Sequence, residues 1–273
     1  MRVAVLLSLL VCGSAAAQWR LVWADEFEGE GLPDPSRWTY EEGFVRNQEL
    51  QYYTRARPEN ARVERGVLVL EARRERFLNP LFQPGSTDWR RARQFAEYTS
   101  ASLTTEGKAA WRYGRIEVRA KLPTGRGLWP AIWMLGVNRG QVGWPRCGEI
   151  DIMENVGYDP ELIHANIHTE AYNHVCGTNK GDRIRVEKPW AGFHVYALEW
   201  TPERLEFFVD DRKYFTYENE KTGPAAWPFD QPFYLILNVA VGGSWGGRWG
   251  IDESVFPQRM EVDYVRVFGR SAP

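Results

Sequence analysis

Short stretches of alternating apolar and polar residues dominate this chain and predict β-strands. In Arg115–Leu122 the apolar residues occupy every second position, and charged residues occupy the positions between them. Successive side chains of a strand point to opposite faces, so a period of two indicates a strand with one buried face. The ranges predicted as strands are Val67–Leu70, Gly114–Leu122, Tyr196–Trp200, Leu205–Val209, Tyr234–Val241 and Met260–Phe268.

The segments between these strands contain turn-forming residues, and we find no helical stripe of comparable strength. The sequences Thr201–Arg204 and Asp210–Asp211 separate neighbouring strands at short intervals, which favours an antiparallel sandwich. We find no internal repeat and no low-complexity linker. The chain is therefore predicted to be all-β, with residues 18–273 forming a single domain.

One apolar, β-branched run carries three carboxylates. The segment GEIDIMENVG contains Glu149, Asp151 and Glu154. In a regular strand Glu149 and Asp151 share a face, whereas Glu154 should point the other way. A β-bulge at Ile152–Met153 would return Glu154 to the acidic face and leave Ile150 facing the core. The pattern therefore predicts a row of three acids on one wall.

Such a row suits a retaining glycosidase. This type of enzyme needs two carboxyls about 5–5.5 Å apart, one to attack the anomeric carbon and one to protonate the leaving oxygen. The carboxyls of Glu149 and Glu154 converge this closely only if the sheet is strongly curved. Asp151 would hydrogen-bond Glu149 and, through like-charge repulsion, keep Glu154 protonated. The alternative is a solvent-facing strand edge, where three acids would repel one another without benefit.

The chain is rich in large aromatic residues, with 13 Trp and 12 Tyr. Aromatic rings stack on the apolar faces of sugar rings, because such rings suit any flat ligand with an apolar side and a polar rim. The formal net charge of −2 argues against a strong general affinity for polyanions, so we expect no nucleic-acid partner. The composition therefore favours a polysaccharide ligand.

The first 17 residues are typical of a signal peptide. An apolar stretch at Val3–Val11 precedes a small-residue cleavage site at Ser14–Ala17. A lipoprotein would instead use Cys12, but Val11 stands where such sites usually have a small residue. No later stretch is long and apolar enough to span a membrane. We therefore expect a secreted protein without a membrane anchor.

Several blocks of the chain together resemble glycoside hydrolase family sixteen. GEIDIMENVG is similar to the family's active-site signature in the bulged E-x-D-x-x-E form of laminarinases, agarases and carrageenases. Further matching blocks follow the family order: LVWADEFEG, NQELQYYT, GLWPAIWML, HTEAYNH, FHVYALEWTPERLEFFVDD, LILNVAVGGSWGG and FPQRMEVDYVRVF. The resemblance implies a β-jelly-roll of two antiparallel sheets with a concave cleft. It also implies that Glu149 is the nucleophile, Asp151 the assisting acid and Glu154 the general acid/base.

The resemblance also points to tryptophans of the sugar-binding cleft. Trp129 and Trp133 match tryptophans that line the donor side in the family, and a core role is equally open for either one alone. Trp245 lies in the glycine-rich segment Gly242–Gly250, where the lack of side chains lets an exposed ring approach a ligand.

Asn47 is expected to bind the donor sugar. Asn47, Glu49 and Gln51 alternate, so a strand would present them on one face as donors and acceptors for sugar hydroxyls. The family usually has GWGNNELQYYT where this chain has GFVRNQELQYYT. The substitutions at Val45-Arg46 and Gln48 leave the substrate preference open.

His168 is expected on a strand beside the catalytic one, where it would hydrogen-bond near the acceptor sugar or Asp151. A structural role is the alternative. The three histidines His164, His168 and His174 do not have the spacing of a strong zinc motif, and no cysteine pattern accompanies them. We therefore expect no catalytic metal.

The resemblance further implies one structural calcium ion on the convex side, held largely by main-chain oxygens. The matching positions are Glu26, Gly66 and Asp263. Two cysteines follow the signal peptide, Cys147 and Cys176. In an exported protein a disulfide between them is favoured over free thiols.

These patterns predict a secreted, monomeric, retaining endo-β-1,3-glucanase of the laminarinase type, with β-glucan as its substrate. Within enzymes, a mixed-linkage β-1,3-1,4-glucanase or a hydrolase of a marine galactan is the rival. Outside enzymes, the rival is a β-glucan-binding protein that does not hydrolyse its ligand. Such binders typically lack the catalytic glutamates, whereas this chain has all three acids.

Overall fold

The computed structural model describes residues 19–270, which are almost entirely β. The predicted signal peptide and Cys12 lie outside the described residues. The strands are β1 (Trp19–Asp25), β2 (Thr39–Tyr40), β3 (Gln51–Tyr53), β4 (Ala61–Glu64), β5 (Val67–Leu78), β6 (Phe95–Ser100), β7 (Ser102–Thr104), β8 (Gly114–Lys121), β9 (Leu128–Gly136), β10 (Glu149–Glu154), β11 (Leu162–His168), β12 (Lys180–Arg185), β13 (His194–Trp200), β14 (Arg204–Val209), β15 (Arg212–Glu218), β16 (Phe233–Val241) and β17 (Gln258–Arg270).

Two four-residue helices, α1 (Trp89–Ala92) and α2 (Arg139–Val142), and a 3-10 turn at Glu253–Val255 complete the described secondary structure. Across residues 19–270, no helix has the length and apolar character needed to cross a membrane.

The strands form two sheets. The larger sheet has the order β15-β14-β13-β8-β17-β5-β6-β3, with β1 paired to β17 and β4 paired to β5. The smaller sheet has the order β12-β11-β10-β9-β16-β7-β2. Within the described chain these strand pairs are antiparallel, apart from β3 and β6, which run parallel. The predicted all-β jelly-roll of two largely antiparallel sheets is confirmed.

Each of the six predicted strand ranges coincides with a strand to within one residue or forms part of a longer one. In β8, Ile116, Val118 and Ala120 are fully buried between the sheets. The alternate residue Arg115 points outward and pairs with Glu117 at 2.6 Å. The period of two therefore placed the apolar face correctly, because only that face can be covered by the opposing sheet.

Strand β10 contains the predicted bulge. Its pairing with β9 matches Asp151 to Trp133 and then Met153 to Ile132, so one residue of β10 is extra. Ile150, Ile152 and Met153 are all fully buried in the core between the sheets. The extra residue therefore places Glu154 on the same outer face as Glu149 and Asp151.

The predicted disulfide is wrong, because Cys147 and Cys176 are free thiols. Cys147 is fully buried in a small cluster with Leu135 and Tyr234. Cys176 is exposed in a turn, where its backbone N–H donates to the Asn173 side chain at 3.2 Å. The two thiols thus lie in different environments, and burial raises the pKa of Cys147 to about 11. Export to an oxidising compartment favours disulfides, but a disulfide also requires the two cysteines to lie close together in a suitable orientation.

Candidate active site

A cleft of about 450 Å³ runs across the outer face of the smaller sheet. Its floor consists of residues from β9, β10, β11 and β16, and the segment before β3 closes one end. The row of acids on β10 lies in this floor. The bulge and the neighbouring strands therefore determine the geometry of the site.

Glu149 is at the start of β10, opposite His168 of β11. Its Oε2 accepts a hydrogen bond from Trp144 Nε1 at 2.8 Å. Its other oxygen, Oε1, lies 3.6 Å from His168 Nε2. One oxygen of Glu149 is thus held by an indole, and the other faces the imidazole.

Asp151 is the most deeply buried of the three acids, at 2% exposure. Its Oδ2 lies 3.3 Å from His168 Nε2. Within the described residues this oxygen has no hydrogen-bond partner of good geometry. His168 itself is only 5% exposed, so the register of β10 and β11 places it in contact with two of the acids.

Glu154 follows the bulge and is supported by neighbouring strands on both sides. Trp129 Nε1 of β9 donates to its Oε1 at 3.0 Å. Asn166 Nδ2 of β11 donates to its Oε2 at 3.4 Å. Hydrogen bonds from N–H groups stabilise the ionised form of a carboxyl.

Burial is the largest influence on all three acids, and it raises the pKa of each. For Glu149, burial and the Asp151 carboxylate together raise the pKa to about 8. The pKa of Asp151 is raised well above its usual value by burial and by Glu154. The row therefore holds protons more tightly than three isolated carboxyls would, because a buried site disfavours three negative charges in close contact.

Hydrogen bonding indicates which acid holds a proton most readily. Glu149 and Glu154 each accept N–H bonds, which favour their ionised forms. Asp151 is more buried, and one of its oxygens is unpartnered among residues 19–270. A proton on Asp151 would remove a poorly supported charge and allow it to donate to a neighbouring carboxylate.

The three predicted cleft tryptophans occupy different environments. Trp129 contacts Glu154, and the Trp245 ring meets Trp129 edge-on at 5.5 Å between centroids. Trp133 is only 7% exposed. Its Nε1 donates to Asn238 at 2.8 Å, and the Arg46 guanidinium lies 4.8 Å from its ring centroid. Trp133 therefore lines the cleft, but neighbouring residues, including Arg46, shield most of its ring from solvent.

Asn47 lines the cleft, but the expected strand geometry around it is wrong. Asn47 and Gln48 have φ angles of 55° and 52°, the left-handed conformation of a turn. Asn47 Nδ2 donates to Glu49 at 3.2 Å. Gln51 is fully buried and donates to the same carboxylate at 2.7 Å. Asn47 can reach a ligand, whereas Gln51 forms internal hydrogen bonds.

Sequence reasoning missed three residues that shape the site: Trp144, Asn166 and Arg46. Trp144 comes from an irregular segment before β10, so no periodic pattern indicates its position. Asn166 was detectable in principle, because it alternates with His168 on one face of β11. Arg46 stood out only as a departure from the family motif.

The three predicted calcium positions lie where β1, β5 and β17 meet. Val262 of β17 pairs with Leu68, shortly after Gly66, and Val265 pairs with Asp25, directly before Glu26. Asp263 lies between these two pairs, so the main chain brings the three positions together. The carboxylates are paired with cations: Glu26 binds Arg266 at 2.8 and 2.9 Å, and Asp263 binds Arg119. The arrangement therefore fits main-chain coordination better than coordination by both carboxylates.

A jelly-roll whose cleft floor holds paired acidic side chains beneath aromatic walls defines a carbohydrate-cleaving enzyme of the glycoside hydrolase class. The sequence profile of glycosyl hydrolases family 16 matches residues 49–266. The chain belongs to this family.

Individual relatives agree with this assignment. The chain is 52% identical to a β-glucanase of Rhodothermus marinus, over 98% of this chain and 94% of that protein. It also resembles the X-ray structure of the laminarinase from Rhodothermus marinus, with a TM-score of 0.85, 52% identity and coverage of 94% and 99%. A third match, with a TM-score of 0.84, 49% identity and coverage of 93% and 97%, is a mutant of a non-specific endo-β-1,3(4)-glucanase with 1,3-β-D-cellobiosyl-glucose at its active site.

The raised pKa of Asp151 predicts that the site reduces the stability of the fold. A carboxyl whose folded pKa is raised is charged more easily in the unfolded chain, so stability falls as pH rises from about 3.9 towards the folded pKa. Asp151→Asn should therefore raise the free energy of unfolding at pH 8, and Tm with it. The gain should diminish towards pH 4.

Thermal unfolding across this pH range would measure the effect. Asp211→Asn is a suitable control, because Asp211 is an exposed turn residue between β14 and β15. An Asp151→Asn protein that is no more stable than the wild type at pH 8 would contradict the raised pKa of Asp151 in the folded protein.

Proposed function

We propose that this chain is a secreted, retaining endo-β-1,3-glucanase that acts on laminarin-type β-glucan. The observation that carries the proposal is the bulge in β10, which places Glu149 and Glu154 on one wall of the cleft. The names of the similar proteins, a β-glucanase and a laminarinase, support a β-1,3-glucan as substrate. The features of residues 1–17 support export, and we expect the enzyme to act as a monomer.

In the proposed reaction, Glu149 attacks the anomeric carbon while Glu154 donates its proton to the leaving oxygen. The glycosyl–enzyme ester is then hydrolysed by a water whose proton passes to Glu154. Asp151, in its protonated form, donates to Glu149 and stabilises the charge on that carboxylate. Trp144 assists from the other side, because its N–H already holds Glu149 Oε2.

A mixed-linkage β-1,3-1,4-glucan is the second candidate substrate. It is favoured by the solved relative described as a non-specific endo-β-1,3(4)-glucanase. The donor end of the cleft also departs from the family motif at Arg46, which covers Trp133. Product analysis on laminarin, on mixed-linkage glucan and on a galactan would separate these substrates. A β-glucan-binding protein would bind laminarin without releasing products.

Substitution of the two glutamates tests their roles. Glu149→Gln should abolish hydrolysis, because attack requires the carboxylate and the amide nearly preserves its shape. Glu154→Gln should lose about 10²–10⁴-fold on laminarin. With an activated leaving group the Glu154→Gln protein should still form the glycosyl–enzyme, and azide should restore turnover. Glu106→Gln, an exposed residue outside the cleft, is the control. Wild-type rates in both cleft variants would refute the assignment.

The stereochemistry of the first product tests the two-step mechanism. Attack by Glu149 inverts the anomeric centre once and attack by water inverts it again, so the reducing end released from a β-glucan should first appear as the β-anomer. Proton NMR of early products, recorded before mutarotation, measures this directly. Transglycosylation products should also appear at high oligosaccharide concentration. Initial release of the α-anomer would exclude a covalent intermediate on Glu149.

We also propose a structural calcium ion held by main-chain oxygens near Glu26, Gly66 and Asp263. An ion that binds only the folded state stabilises it by mass action, so chelation should lower Tm while the metal-free enzyme remains catalytically competent below its new Tm. Thermal unfolding in chelator and in excess calcium would measure the difference. Identical Tm values for demonstrably metal-free and calcium-loaded protein would rule out the ion.

A further inference from the structure

The catalytic row and His168 form a group of possible metal ligands on the cleft floor. His168 Nε2 lies 3.3 Å from Asp151 Oδ2 and 3.6 Å from Glu149 Oε1. One ligand atom from each of the three residues lies within 4.8 Å of the other two. Two adjacent strands supply the group, since Glu149 and His168 are paired in the register of β10 and β11.

The two separations from His168 match those between ligands of a tetrahedral metal site. Two ligands bound to Zn²⁺ at about 2.0–2.2 Å in tetrahedral geometry lie about 3.3–3.6 Å apart. Both contacts of His168 fall in this range, so small adjustments of the side chains would bring the three atoms around one ion. The fourth position would face the cleft, as in zinc sites that have three protein ligands.

Two further observations favour a bound cation over a merely acidic surface. Asp151 Oδ2 is buried and has no hydrogen-bond partner in the described part of the chain, so it has an unused acceptor directed at the group. Glu149 is already oriented, because Trp144 holds its Oε2 and leaves Oε1 available. A neighbour that orients a ligand in this way strengthens metal binding.

The donor set indicates the kind of ion. One imidazole nitrogen and two carboxylate oxygens suit Zn²⁺ and neighbouring first-row transition ions. Ca²⁺ prefers six to eight oxygen ligands, and Mg²⁺ usually keeps several waters in an octahedral arrangement. Neither preference is met by three closely spaced ligands that include an imidazole.

We propose that Glu149, Asp151 and His168 form an inhibitory site for a divalent transition-metal ion such as Zn²⁺. Binding of the ion displaces the proton of Asp151 to solvent. The bound ion then occupies the position where Glu149 must meet the anomeric carbon, and it holds the electron pair that Glu149 would use for attack. Zinc and glucan therefore compete for the same carboxylate. The binding itself is independent of the reaction catalysed, and only its inhibitory effect rests on the proposed function.

Isothermal titration calorimetry with ZnCl₂ tests the site directly, using the full protein after exhaustive dialysis. The wild type should bind one Zn²⁺ with a saturable isotherm, and His168→Gln should weaken this binding by at least about tenfold. His194→Gln is a matched control, because His194 also contacts a carboxylate, Asp210 at 2.9 Å, but lies on the other sheet. It should leave the affinity unchanged. Asp151→Asn removes a ligand independently, should His168→Gln fold poorly.

Initial rates on laminarin at several Zn²⁺ concentrations test the consequence. Zinc should raise KM and leave kcat unchanged, with an inhibition constant that agrees with the calorimetric Kd. Absence of saturable binding, or equal affinity in the wild type and His168→Gln, would overturn the site. Saturable binding with purely noncompetitive inhibition would overturn the competition. A protein that binds zinc as predicted but hydrolyses no glycan would retain the metal site and refute the proposed function.

Discussion

The bulge in β10 is the constraint on which the rest of the site depends. A regular strand of this sequence would direct either Glu154 or its apolar neighbours to the wrong face. With one extra residue, Ile150, Ile152 and Met153 fill the core while all three acids face the cleft. The strand can be buried on one side and acidic on the other because its pairing with β9 tolerates the irregularity.

Burying three acids side by side disfavours their ionised forms. Hydrogen bonds from neighbouring residues partly offset this effect. Burial raises the pKa of every member of the row. Trp144 supports Glu149, while Trp129 and Asn166 support Glu154. Asp151, between them, has the least support. Unequal hydrogen bonding therefore distinguishes three chemically similar carboxyls and makes separate roles for them physically reasonable.

Much of the fold was predictable from the sequence, because the period of two reports directly which face of a strand is buried. The bulge was predictable for the same reason, since an acid at an odd offset in an apolar run requires one. Trp144 was not, because it reaches Glu149 from an irregular segment. The disulfide prediction failed because Cys147 is buried in the small cluster with Leu135 and Tyr234, whereas Cys176 is exposed in a turn. The covering of Trp133 depends on the positive-φ turn that follows Arg46, and strand periodicity carries no information about it.

A chain of polar contacts runs from Trp133 in the cleft to β7, near the edge of the smaller sheet. Ser102 of β7 donates to Glu41 at 2.6 Å, Glu41 pairs with Arg46, and Arg46 lies over Trp133. A planar cation thus covers an indole that lines the cleft. This wall of the cleft is anchored by Glu41 and Ser102, which do not line the cleft themselves, so substitutions at these two residues would change the shape of the wall while the acids on β10 stay unchanged.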